Sequence, residues 1–504
     1  MPSIFDTCLA QGQGNSTDLL QCISNLHEEA ELANASKSVG ILGGLDMFFL
    51  IYSASLMFCM QGGFAMLCAG CVRKKNVQNT LLKNLLDTCG AAFAFFSVGF
   101  AFSYGGQTET GEPTTFIGNE GFFLIGREDY AFFVFQVAFA ATASTIVAGT
   151  LAERCQMAAY LCFSIVLTAF VYPVIIHTIW SNNGFLSPFR LNPLWESGMI
   201  DFAGSGVVHL TGGTTALIAS LILGPRKGRF CEDLGAPNTI KGHSSSLQTL
   251  GTFLLWFGWY GFNCGSILRI TEDGFGRIAS ISAVSTTLGA SAGCLSALIT
   301  SAVATQRATG EVAWKLSDGL NGTLTGLVAI TGGCGIFEPW AAALVGALGG
   351  VLYISLSRQL TRWKIDDACD AVPVHLGGGI WGLIAVGIFA SPRLLEEVYG
   401  RSTHVGWVFS WGRGSADATL LGINVVGGLL IFVWVSCLMT PVFLFLSFFG
   451  WFRADSLEEI IGLDSTSSDR ADAVVSKKHE DELKKRIDAR SGSVGQRDAF
   501  QDNA

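Results

Sequence analysis

Two histidines stand inside apolar stretches of this sequence, and their surroundings match. His209 and His375 each follow an aspartate at a spacing of eight residues, Asp201 and Asp367, and each lies in a Val-His-Leu triplet followed by small residues. Imidazole both donates and accepts hydrogen bonds, and it titrates near neutral pH. The pair therefore suits a small hydrogen-bonding substrate or a relayed proton in an otherwise apolar pore.

Two other interpretations of the pair stay open at this point. Each histidine can be a packed core residue bonded to a backbone carbonyl. A metal or haem site is the other interpretation, but it wants further ligands, and no other His, Asp or Glu is expected mid-span near the two. A Cys-x-x-Cys pair, Cys68 and Cys71, ends the first apolar stretch, and alone it is weak evidence for metal. We predict neither a metal nor another cofactor.

The elements that carry the histidines are membrane-spanning helices. Half of the 504 residues are apolar, 14% are charged, and the mean hydropathy is +0.45. A globular chain averages about 25% charged residues. Because backbone groups in lipid must be satisfied within the segment, helices are the expected structure. We predict an all-α integral membrane protein with eleven spans, near 44–70, 80–104, 130–151, 156–179, 204–223, 247–267, 278–303, 318–335, 338–357, 373–391 and 419–450.

The matching histidine segments indicate an internal repeat of five spans. Five is an odd number, so the two copies cross the membrane in opposite directions, which is the inverted-repeat pattern of many transporters. Asp201 starts the fifth span at one face, and Asp367 starts the tenth at the other. Eight helical residues rise about 12 Å, and half the hydrocarbon core is about 15 Å. Both histidines are therefore expected near the midplane.

The distribution of charge predicts the orientation. With the N-terminus outside, the inner loops carry thirteen Lys and Arg residues and the outer loops carry eight, which favours N-out and C-in. We divide the chain into an extracellular segment 1–40, a membrane domain 41–450 and a cytoplasmic tail 451–504. The net charge of −9 gives no reason to expect a nucleic-acid partner.

The outer ends of several spans bring aromatic residues near Asp201. Aromatic faces attract a desolvated cation, and a hydroxyl supplies an acceptor. The spacing alone also fits an interfacial aromatic belt, and Asp201 also fits a stabilising helix cap. The residues that converge there by topology are Trp180, Phe135, Phe139, Phe262 and Ser266.

Several motifs together resemble one family. They read D-F-A-G-S-G-V-V-H, D-D-A-C-D-x3-V-H, G-W-Y-G-F-N-x-G-S, F-Q-x-A-F and L-A-E-R. These motifs are long and occur in the order typical of one family. Together they resemble the ammonium transporter superfamily (Amt/Mep/Rh) over residues 41–464. The N-terminal segment and the G-L-D-S-T of the tail resemble its plant type-1 subfamily.

The resemblance implies a plasma-membrane homotrimer with one pore per subunit and electrogenic uptake of ammonium. It implies pore histidines at His209 and His375, and an Asp201 that supports recruitment without binding the cation directly. Phe139 and Phe262 match a stacked gate. The implied outer ammonium site consists of Trp180, Phe135, Phe139, Ser266 and the Ala203 carbonyl.

The tail resembles the family's regulatory arm. Thr466 lies where plant members carry a phosphorylated threonine, which implies a protein kinase as a partner. The residues that follow are Ser-Ser-Asp, which depart from the family's usual His-Gly-Gly. Related transporters are expected partners in heterotrimers. The alternatives left open are an electroneutral ammonia channel, an ammonium sensor and a membrane redox enzyme that uses the histidines.

Overall fold

The computed structural model describes residues 16–106, 114–230 and 237–465, and all named elements within them are helical. The all-α prediction is confirmed. Eleven helices of sixteen residues or more follow one another through the described residues. They are α1 (Ser16–Cys71), α2 (Lys74–Tyr104), α3 (Tyr130–Leu151), α4 (Met157–Trp180), α5 (Ser205–Leu223), α6 (Ser245–Gly265), α7 (Phe275–Thr309), α8 (Leu316–Thr331), α9 (Pro339–Arg362), α10 (Val372–Phe389) and α11 (Thr419–Phe448).

Nine of these helices are long and apolar enough to cross a membrane, counted over the described residues. The other two are α6 and α8. Helix α8 has only 16 residues, and α6 mixes glycine, serine, threonine and glutamine with its apolar residues. Both match predicted spans, but eleven spans remains a prediction.

Helix α1 crosses the predicted boundary between the first two segments of the chain. It begins at Ser16 and continues without a break to Cys71, and the part of it that is long and apolar enough to cross a membrane begins at Gly40. After α11 a short helix, Ser456–Ile461, opens the tail. The predicted modification site Thr466 lies outside the described residues.

The helices divide into an interior set and a peripheral set. Of the most apolar stretch of α5, 83% is buried, against 22% for α1 and 28% for α11. Large apolar side chains such as Phe93 and Phe448 are exposed. An apolar exterior around a buried centre is the arrangement that lipid contact requires.

Glycines let α5 and α10 cross in the core. A Cβ on Gly213 would lie 2.3 Å from the backbone nitrogen of Leu376, and a Cβ on Gly379 would lie 2.6 Å from the carbonyl oxygen of Ser205. Each of these glycines stands four residues after its histidine. Because early residues of one segment face later residues of the other, the two segments run antiparallel, as an inverted repeat requires.

Both histidine helices open with the same local geometry. Five residues before each histidine, the backbone is left-handed, at Gly204 (φ +106°) and Asp370 (φ +57°). A π-helical stretch follows, over Ser205–Leu210 in α5 and over Val372–Gly377 in α10. Such stretches are rare and occur often at functional sites.

Candidate functional site

Five rings form a column through the core. The ring centres of Phe135 and Phe139 are 5.0 Å apart, and those of Phe139 and Phe262 are 4.4 Å apart. Phe262 lies 5.5 Å from the ring of His209, which stacks on His375 at 5.2 Å. All five side chains are buried. The structure therefore brings the predicted aromatic pair and the predicted histidines into one continuous line.

The Phe135 end of this column meets a recess of about 70 Å³, which we call the outer recess. Ser266 and Gln136 contribute polar groups to its wall. The Ser266 hydroxyl donates to the Phe262 carbonyl at 2.8 Å, so its own lone pairs stay available to a donor. The rest of the wall consists of Leu268 and seven aromatic side chains: Tyr104, Phe132, Phe135, Phe139, Trp180, Phe189 and Phe202. Aromatic walls with one hydroxyl acceptor suit a small cation that carries N–H groups.

Asp201 holds the start of α5 in place from behind the outer recess. Its carboxylate accepts hydrogen bonds from the backbone N–H groups of Gly204 at 3.1 Å, Gly206 at 2.9 Å and Val207 at 2.8 Å. Its backbone carbonyl accepts from the indole of Trp180 at 2.7 Å. The carboxylate is fully buried, and it acts as a cap for the π-helical turn that carries the first histidine.

The predicted outer residues separate into two groups. Trp180, Phe135, Phe139 and Ser266 line the outer recess. Asp201 and Ala203 do not line it, and both are almost fully buried.

The histidines contact each other directly. The Nδ1 atoms of His209 and His375 are 3.2 Å apart. One of these atoms must carry a proton and the other a lone pair, so the pair holds complementary tautomers. Trp259 stacks on His209 at 5.2 Å. Within the described residues, Nε2 of His209 is buried and has no hydrogen-bond partner.

A wide cavity lies before the start of α10, and none of the five column residues lines it. We call the side where α1, α3 and α5 end the inner face, and the cavity of about 460 Å³ there the inner vestibule. The Asp367 carboxylate lies at its edge. It accepts from the N–H groups of Val372 at 2.7 Å and Cys369 at 3.3 Å and from the Thr150 hydroxyl at 3.2 Å. Asp367 thus fixes the start of α10 as Asp201 fixes the start of α5.

Sequence reasoning missed a second buried polar cluster. Asp87 in α2 accepts hydrogen bonds from Ser144 at 3.0 Å, from Thr145 at 2.6 Å and from Ser164. Lys83, one turn earlier, is also buried and donates to the Cys155 carbonyl at 2.6 Å. The signal was present, since both charges stand within or beside an apolar run. The hydroxyls that satisfy Asp87 come from other helices, so the pattern of α2 alone does not show them.

Ion pairs tie the loops together at the inner face. Glu153 contacts Arg73 and Arg226, each with a nitrogen–oxygen distance near 3 Å, and Arg226 also reaches Asp366 at 2.8 Å. Burial raises the pKa of Asp366, but hydrogen bonds from Arg226 outweigh it and bring the pKa to about 2. Burial likewise raises the pKa of Glu153, and the two arginines hold it below its ordinary value. Both carboxylates are therefore charged at neutral pH.

The described start of the tail is docked on this face. The Asp464 carboxylate accepts from the backbone N–H groups of Gln78 at 3.0 Å and Asn79 at 2.7 Å, near the beginning of α2. Glu459 pairs with Arg453 at 2.9 Å. Carboxylates near helix N-termini are stabilising, so these contacts anchor the tail just before Thr466.

The comparisons with known proteins identify the family. The model of the Ammonium Transporter Family matches residues 47–472. The chain belongs to the ammonium transporter family. Among curated relatives, tomato (Solanum lycopersicum) ammonium transporter 1 member 3 is 41% identical over 86% of this chain and 94% of its own length. Rice (Oryza sativa subsp. japonica) ammonium transporter 1 member 1 is 43% identical over 84% of each chain.

Solved structures that this chain resembles have the same fold. A structure named "Sensor Amt Protein" is 33% identical, with a TM-score of 0.73, over 85% of this chain and 99% of its own. Mep2 from Saccharomyces cerevisiae is 25% identical, with a TM-score of 0.70, over 82% of this chain and 89% of its own. The predicted resemblance is confirmed, and the chain is a membrane transporter and not an enzyme.

Proposed function

We propose that this ammonium transporter carries ammonium inward across the plasma membrane with net movement of charge. The observation that supports this is the continuous line from the outer recess, through Phe139 and Phe262, to the paired histidines. The cation loses water at the aromatic recess, where the Ser266 hydroxyl accepts a hydrogen bond from one of its N–H groups.

The proposed pore separates ammonia from its proton below the two phenylalanines. An intact charge in an apolar pore costs several kcal/mol. Ammonia that leaves its proton to the His209–His375 pair avoids that cost. Potassium has no proton to give, so the same step rejects it.

The proposed assembly follows the family. We propose eleven spans, with the N-terminus outside and the tail inside. We also propose a homotrimer with one pore in each subunit, and heterotrimers in which related transporters replace one or more subunits. Segments 1–40, 41–450 and 451–504 are its proposed domains. Phosphorylation of Thr466 by a protein kinase would add about −1.5 to −2 charges two residues from Asp464, and the repulsion would release the tail from α2.

Currents in oocytes test the proposal. We expect a saturable inward current when external ammonium is stepped to millimolar concentration, and none with potassium. His209→Ala should reduce the ammonium current at least fivefold at equal surface expression, whereas His404→Ala, remote from the column, should not. Uptake of ¹⁵N-ammonium without current would instead show electroneutral passage and would overturn the proton relay.

A sensor is the second candidate, and the likeness to the structure named "Sensor Amt Protein" favours it. A sensor would signal bound ammonium to a partner through its tail, and it would not need to transport ammonium. Growth of yeast that lacks ammonium uptake separates the two: growth restored by this chain supports transport, and no growth at confirmed surface expression supports the sensor.

A further inference from the structure

Three thiols meet at the edge of the inner vestibule. Cys68 and Cys71 belong to the last turn of α1, and Cys369 lies in the loop between α9 and α10. The Cys369 sulfur lies close enough to the sulfurs of Cys68 and Cys71 to interact with both. A Cβ on Gly149 of α3 would lie 2.9 Å from the Cys369 Sγ, so the glycine leaves room for the cluster. All three cysteines are free thiols.

Two thiols of the cluster face the inner vestibule. Cys71, which is partly exposed, and Cys369, which is 8% exposed, both line it, whereas Cys68 does not. Among the described residues, no group of three histidines, cysteines or carboxylates has the geometry of a metal site. Thiol–disulfide chemistry is therefore the chemistry that this arrangement favours.

Cys369 is the thiol prepared for attack. Hydrogen bonds from Cys68 and Cys71 lower the pKa of Cys369, and the nearby Arg226 guanidinium lowers it further. The thiolate is the reactive form of cysteine. A sensor cysteine of this kind is accessible and stands beside a resolving thiol.

We propose that the Cys369–Cys71 pair is a reversible oxidation site for hydrogen peroxide at the inner mouth of the pore. The Cys369 thiolate attacks one peroxide oxygen, the O–O bond breaks, and the products are a sulfenic acid and hydroxide. The Cys71 thiol then attacks that sulfur and forms the S–S bond. The hydroxyl of the sulfenic acid leaves as water with the Cys71 proton. Peroxide is reduced and the two thiols are oxidised, and an intracellular dithiol reverses the step.

The disulfide would act on the pore through Asp367. The Cys369 N–H and the Val372 N–H bind the same Asp367 carboxylate, and Val372 begins the π-helical turn that carries His375. A covalent bond to the end of α1 would fix this loop at the inner mouth. This consequence rests on the proposed function, and we expect it to slow ammonium flux at least threefold.

Mass spectrometry tests the site without reference to transport. The full-length protein in native membranes is treated with hydrogen peroxide, free thiols are alkylated, and disulfide-linked peptides are mapped. We expect a Cys369–Cys71 link that dithiothreitol removes. Cys71→Ser should abolish the link, and Cys437→Ser, a matched change at an exposed cysteine of α11, should retain it. Absence of this link in the oxidised wild-type protein would overturn the proposal. So would a link that forms only in the denatured protein and not in the folded one.

Currents test the consequence separately. In inside-out patches, peroxide should lower the ammonium current of the wild type at least threefold, dithiothreitol should restore it, and Cys71→Ser should resist. A mapped disulfide with unchanged current overturns the effect on the pore. Absence of any ammonium current before oxidation contradicts the proposed function and leaves the mapped disulfide as the measure of the oxidation site.

Discussion

The outer recess and the inner vestibule have the same framework and different walls. At each mouth an aspartate caps a π-helical turn, and a left-handed residue stands five positions before the histidine. The outer recess measures about 70 Å³ and is mostly aromatic. The inner vestibule measures about 460 Å³ and carries Arg226, Arg229, Lys241, Asp367 and Asp370. The repeated framework positions the two histidines, whereas the walls give the two mouths different chemistry. We therefore expect ammonium to be selected at the outer recess and released at the inner vestibule.

Removing the two aspartates in turn tests the shared framework most strongly. Asp201→Ala should reduce ammonium current more than tenfold, because three buried N–H groups lose their acceptor at a cost of about 1–3 kcal/mol each. Asp367→Ala should cause a smaller, several-fold loss, because the Asp367 carboxylate accepts only two backbone N–H groups and lies, half-buried, at the edge of a wide cavity.

The measurement is current per surface protein, with surface biotinylation as the control for folding. Asp201→Asn keeps one carbonyl acceptor and should recover part of the current. If Asp201→Ala and Asp367→Ala reduced the current equally, the two aspartates would contribute equally to the pore, and the expected difference between the two mouths would be wrong.

The ring pair between the outer recess and the histidines has no counterpart at the inner mouth among the described residues. Phe139→Ala removes one ring of the 4.4 Å contact with Phe262, and we expect the ratio of potassium to ammonium current to rise about threefold or more. Phe253→Ala on the exposed side of α6 is the control and should leave the ratio unchanged. An unchanged ratio in Phe139→Ala would place selectivity elsewhere.

Much of this framework could be predicted from the sequence, because it depends on residues that repeat at fixed spacing. The pairing of His209 with His375 and the close approach at the glycines follow from a repeat of odd length. The docking of Asp464 could not be predicted, because its partners are backbone N–H groups of α2, which carry no sequence signal. Asp87 was missed for a related reason, since three other side chains make its burial tolerable.

Ala203 does not line the outer recess, and the reason is geometric. Ala203 precedes α5, and its backbone N–H donates to the carbonyl of Thr331 in α8 at 3.2 Å. That pairing packs residues 201–203 against α8 and buries Ala203 fully. Sequence spacing gives the position of Ala203 along its own segment. Its exposure to the recess depends on contacts with α8, which is far away in the sequence.

The smallest expected effect separates affinity at the outer recess from events at the inner mouth. Ser266→Ala removes one acceptor from the recess, and a hydrogen bond of about 0.5–1.5 kcal/mol corresponds to a two- to tenfold rise in the ammonium concentration that gives half-maximal current. The maximal current should stay within twofold, because the column and the histidines are unchanged. Ser317→Ala, the same change in the inner vestibule, should leave the half-maximal concentration unaltered. If both variants shifted it equally, ammonium would be sensed on both sides of the column, and the division between a selecting and a releasing mouth would be wrong.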